Sequence, residues 1–124
     1  AMKGFQIWVN VPSEKKMDDP RYGTVPTKDL PAVDLVKDGG DGGGATARVL
    51  AGSAFGITGP FQTVQPILML DIELGATHRA SIEIPVEMDT TILYVYEGSL
   101  SFAGSTNSPT STSSNSDSGI LKAG

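Results

Sequence analysis

Few side chains in this sequence could do acid–base, nucleophilic or metal chemistry, and their spacing limits how far they can act together. The only histidine is His78, just beyond Gly75 and Ala76, so no pair of imidazoles at metal-ligand spacing can be assembled. A lone histidine in a turn is ordinarily a solvated side chain. Asp71, Glu73, Glu83 and Glu87 lie on or beside two neighbouring period-two segments, and paired carboxylates can move protons or hold a hard cation. The competing reading, that they are the outward-facing polar residues of alternating strands, is the stronger. Ser53, in Gly52-Ser-Ala-Phe-Gly56, lacks the spacing of a nucleophile elbow, and its one available base, His78, belongs to a different turn. A hydrolase is not expected. Trp8 stands between Gln6 and Asn10 on one face of a period-two run, where a ring flanked by two amides is either a binding wall or a buried tryptophan with a satisfied N–H. The run Asp38-Gly-Gly-Asp-Gly-Gly-Gly44 tolerates positive φ, but it lacks the lysine and the following helix of a phosphate-binding loop.

These residues need elements to hold them, and the composition points to short strands. The chain has 124 residues, 39% hydrophobic and 19% charged, with 15 glycines, 8 prolines and no cysteine. That size fits one domain with a modest core, and the missing cysteines exclude a disulfide framework, a thiolate metal site and a thiol nucleophile. A net charge of -5 leaves no basic stripe for a phosphate backbone, so direct nucleic-acid binding is not expected. No apolar run is long enough to span a bilayer as a helix, and the first residues lack the apolar core of a signal peptide. The expectation is a soluble intracellular protein, cytoplasmic or nuclear, without a membrane partner.

Phe5, Ile7, Val9 and Val11 alternate with Gln6, Trp8 and Asn10 and stop at Pro12, which predicts a strand over 5–11. Residues 13–31 are polar and proline-punctuated, with at most a helical turn near 13–17. A short strand at 33–36, the glycine run and a strand at 46–51 predict a hairpin. Leu68, Leu70, Ile72 and Leu74 share one face of a strand at 66–74, with Met69, Asp71 and Glu73 on the other. Ala80, Ile82 and Ile84, then 90–97, read as further strands, and Leu100 and Phe102 begin a return strand. The predicted inward set is Leu68, Leu70, Ile72, Ile82, Leu93 and Val95. Residues 105–118 contain no apolar side chain and read as a solvated loop between two strands. Short strands joined by Gly/Pro turns predict an all-β antiparallel sandwich or barrel.

The segment Gly4-Phe-Gln-Ile-Trp-Val-Asn-Val-Pro12, with Glu14-Lys-Lys-Met17 and Pro20-Arg-Tyr22, resembles the end of the first cupin domain of pirin-family proteins and the link to the second. The resemblance continues through Val49-Leu-Ala-Gly52, Gly56-Ile-Thr-Gly-Pro60, the strand with Asp71, Gly75-Ala76, Ile84-Pro85 and Leu93-Tyr-Val-Tyr-Glu-Gly98. It implies a cupin-type β-sandwich, a partial double-stranded β-helix. It also implies a division into the last strand of an N-terminal cupin domain (1–12), a linker and connecting loop (13–44), and a partial C-terminal cupin domain (45–124) with a Ser/Thr-rich insertion at 105–118.

In that family a non-haem iron is held by histidines and a glutamate of the first barrel, upstream of the strand at 5–11, so the resemblance implies no iron ligand in this chain. A metal-binding cupin motif counted from Gly75 would place its two histidines at Ser81 and Glu83, with Glu87 beyond and Gly98 closing; His78 does not fit it. No catalytic, cofactor-binding or metal-ligating residue is therefore assigned. The resemblance implies a non-catalytic structural and interaction part of a pirin-like protein whose full-length form is a metal-dependent quercetin 2,3-dioxygenase. The alternative is an iron-dependent transcriptional co-regulator acting through protein–protein binding. The strand at 5–11 and the unfinished second barrel would leave open edges, which predicts a homo-oligomer or a strand-exchanged dimer.

Overall fold

The computed structural model of the chain describes residues 4–35, 44–103 and 118–122. The glycines at 39–43 and the Ser/Thr-rich residues 105–117 lie outside the described residues. By packing the chain divides into two units, Ala1–Met88 and Asp89–Gly124.

The first unit is organised around one alanine-rich strand. β1 (Ala32–Asp34), β2 (Ala45–Ala51) and β5 (Met69–Leu74) form an antiparallel sheet in the order β1-β2-β5. β2 occupies the middle because its alternate residues are small and apolar: Ala45, Ala47, Val49 and Ala51 are all buried, while Thr46, Arg48 and Leu50 face the other way. The register sets Ala45 opposite Leu74, Ala47 opposite Ile72 and Val49 opposite Leu70. Opposed residues share a face, so Leu70, Ile72 and Leu74 continue the buried face, as their spacing predicts, and are themselves half-buried. Val49, fully enclosed, contributes about 1.5–3 kcal/mol of burial free energy.

β1 and β2 form the antiparallel hairpin expected around the glycine run, with Ala32 opposite Arg48 and Asp34 opposite Thr46. Its rim is tied by Leu35 N–H donating to the Ala45 carbonyl (2.7 Å) and Val49 N–H to the Pro31 carbonyl (2.9 Å). The helical turn expected near 13–17 is present as a 3-10 turn at Ser13–Lys15, and a second lies at Thr27–Asp29.

Between Val49 and Ala51 the ladder slips by one residue, leaving Leu50 as a bulge. The Leu50 carbonyl thereby accepts Phe61 N–H (3.0 Å), and Gly59 N–H donates to the Gly52 carbonyl (2.8 Å). Inside this closure β3 (Ser53–Ala54) and β4 (Ile57–Thr58) pair across the two-residue loop Phe55-Gly56. Both loop residues have positive φ, 55° and 78°, the requirement of a type I′ hairpin turn. The sequence reads 52–60 only as a turn-rich link.

In the second unit β6 (Ser99–Ala103) and β7 (Ser118–Lys122) are antiparallel, with Leu100 opposite Leu121 and Phe102 opposite Gly119. The return strand at Leu100 and Phe102 is therefore formed, and residues 104–117 connect its two strands.

Three predicted strands differ. Residues 5–11, 80–84 and 90–97 carry no strand among the described residues. Each has β-forming composition, but a strand exists only through a partner's ladder, and among the described residues the strands pair only with one another. Without a ladder the expected inward set is only partly realised: Leu68, Ile82 and Val95 are half-buried, whereas Leu93 is 48% exposed. Among the described residues there is no α-helix, and no helix is long and apolar enough to cross a membrane.

Candidate functional site

The polar face of the β1-β2-β5 sheet brings together the carboxylates singled out in the sequence, but with a cation among them. Arg48 on β2 stands opposite Asp71 on β5, and Glu73, two residues further along β5 on the same face, stands opposite Thr46. Its guanidinium reaches Asp71 Oδ2 through Nη1 at 3.5 Å and Glu73 Oε2 through Nη2 at 4.0 Å. Arg48 and Asp71 are each about a third exposed and Glu73 more so, so solvent screening keeps the pairs at about 0–1 kcal/mol each. Asp71 Oδ2 is thereby the oxygen nearest the guanidinium, while Glu73, 77% exposed, meets it only at the outer limit of an ion pair. Glu83 and Glu87 lie outside the ladder and are exposed.

His78 closes the turn after β5. Its backbone N–H donates to the Gly75 carbonyl (3.1 Å), and its ring Nδ1 lies 2.9 Å from the Ala76 carbonyl oxygen. That contact orients the imidazole toward its own turn. Thr77, between them, takes φ 65°, the left-handed region that turn geometry requires and β-branched residues seldom occupy. Ser53 Oγ and Thr58 Oγ1 are 2.8 Å apart in a directly opposed pair. Its hydroxyl is held within the hairpin, with no described base against it. Trp8 is 86% exposed, so the buried-tryptophan reading does not hold.

An open cleft of about 610 Å³ lies beside this hairpin. Its walls include Ser53, Thr58, Phe61, Pro66, Glu87 and Arg21, with Arg21 Nη1 donating to Gln62 Oε1 at 3.1 Å. The sequence reading missed Arg48 and Arg21 as organising residues. The signal for Arg48 was its outward position in the β2 alternation, but its match to Asp71 depends on a register between strands that are not sequence neighbours. Arg21 and Gln62 carry no sequence signal for their meeting.

The iron of the cupin family can be tested against these groups. Among the described residues no three His, Cys, Asp or Glu side chains cluster as a ligand set. The nearest carboxylates face Arg48, and the histidine ring faces a carbonyl. The residues present do not fit that metal.

The described residues form short antiparallel strands and no α-helix, a β-structural class of protein. Comparison with known proteins gives its relatives. The chain is 32% identical over 105 residues to Pirin-1 of Arabidopsis thaliana, covering 85% of this chain and 34% of that protein. It is 34% identical over 95 residues to Pirin of Homo sapiens, covering 77% and 30%. With a Pseudomonas aeruginosa protein named "Putative quercetin 2,3-dioxygenase" it shares 34% identity over 100 residues, 81% of this chain and 33% of that one. The chain is homologous to pirin-family proteins over most of its length, and it spans about a third of the length of the curated relatives it matches. No family model and no solved structure matches it.

Proposed function

We propose that this chain is a non-catalytic structural and interaction part of a pirin-type cupin protein, and that the activity it serves is a quercetin 2,3-dioxygenase-type oxidation. The observation that carries the first half is the Arg48 fork, which engages the two carboxylates best placed to act together. His78 and Ser53 are likewise committed to local contacts. The second half rests on the printed name of the Pseudomonas relative. The strands around β2 and β5 would contribute the buried wall of a cupin-type sandwich, with their polar face outward.

The test is turnover. The chain is supplied with Fe(II) and quercetin under air, and flavonol absorbance is followed against a blank of the same metal without protein. The expected rate equals the blank. A rate above it that tracks protein concentration would overturn the non-catalytic reading.

A further inference from the structure

We draw no further inference here: the strongest candidate, the open cleft of about 610 Å³ walled by Arg21, the β3–β4 hairpin, Phe61 and Glu87, carries nothing because Arg21 already meets Gln62 and Ser53 meets Thr58, and nothing in the structure shows what covers it.

Discussion

Three glycines around the Leu50 bulge separate two physical reasons for lacking a side chain, and alanine at each gives a distinct expected cost. Gly56 has φ 78° and open space where a Cβ would stand. Gly56→Ala therefore meets only the left-handed penalty of about 1–2 kcal/mol, offset by about 0.4–1 kcal/mol from a stiffer unfolded chain. Gly59 has no positive φ, but its Cβ would overlap the Leu50 carbonyl and lie 2.6 Å from the Ala51 nitrogen. Those are backbone atoms of the central strand, so no rotamer change relieves the overlap. Separation would strain the Gly59-to-Gly52 and Phe61-to-Leu50 hydrogen bonds, at about 1 kcal/mol each, on top of about 1–3 kcal/mol of overpacking. Gly52 combines both effects, with φ 76° and a Cβ that would overlap the Ile67 carbonyl oxygen and sit 3.1 Å from Leu68 Cα. The expected order of destabilisation is Gly52→Ala, about 3–5 kcal/mol, then Gly59→Ala, about 2–4, then Gly56→Ala, under about 1.5. Urea unfolding followed by far-UV circular dichroism measures all three; tryptophan emission would not, because Trp8 is already exposed in the fold. Equal costs at Gly52 and Gly56 would refute the close approach of 52 to 67, and a neutral Gly59→Ala would refute the closure over the bulge.

The hairpin loop offers a gain. Phe55 occupies the left-handed region at the first loop position, where asparagine is favoured, so Phe55→Asn should stabilise the fold by about 0.5–1 kcal/mol; a loss of stability in the same urea series would argue against the type I′ turn. On the buried face, Val49→Ala removes two enclosed carbons and should cost about 1.5–2.5 kcal/mol. Leu70, opposite it but only half-buried, should cost about 1–2 kcal/mol on truncation to alanine, below the range for fully buried leucines. A larger loss at Leu70 than at Val49, in the same denaturation assay, would mean that the buried face is assigned to the wrong strand.

Sequence legibility divided along a physical line. β2 and β5 were readable because their alternation states which side of each strand is apolar, and burial follows that side directly. Residues 5–11 and 90–97 alternate or favour strand as strongly, yet form none, because pairing is a property of two segments and residue composition describes one. The β3–β4 hairpin was hidden by Phe55, a bulky residue where a turn would be announced by asparagine or glycine. At the candidate site, the outward placement of Asp71 and Glu73 was legible from the same alternation, whereas the departure of Ser81 and Glu83 from a histidine pair came from the family resemblance alone. That Arg48 would lie between the carboxylates was not, since it depends on the register across β2 and β5. The Arg21–Gln62 contact that borders the cleft joins residues far apart in sequence by side-chain packing alone.

Iron stoichiometry tests the central claim most directly. The chain is incubated anaerobically with excess Fe(II), dialysed against metal-free buffer, and its iron determined per mole of protein by elemental analysis. With Asp71 and Glu73 facing Arg48 and His78 facing its own turn, iron well below one equivalent per chain is expected, with no change in His78→Ala. One equivalent retained by the wild type and lost in His78→Ala would contradict the account.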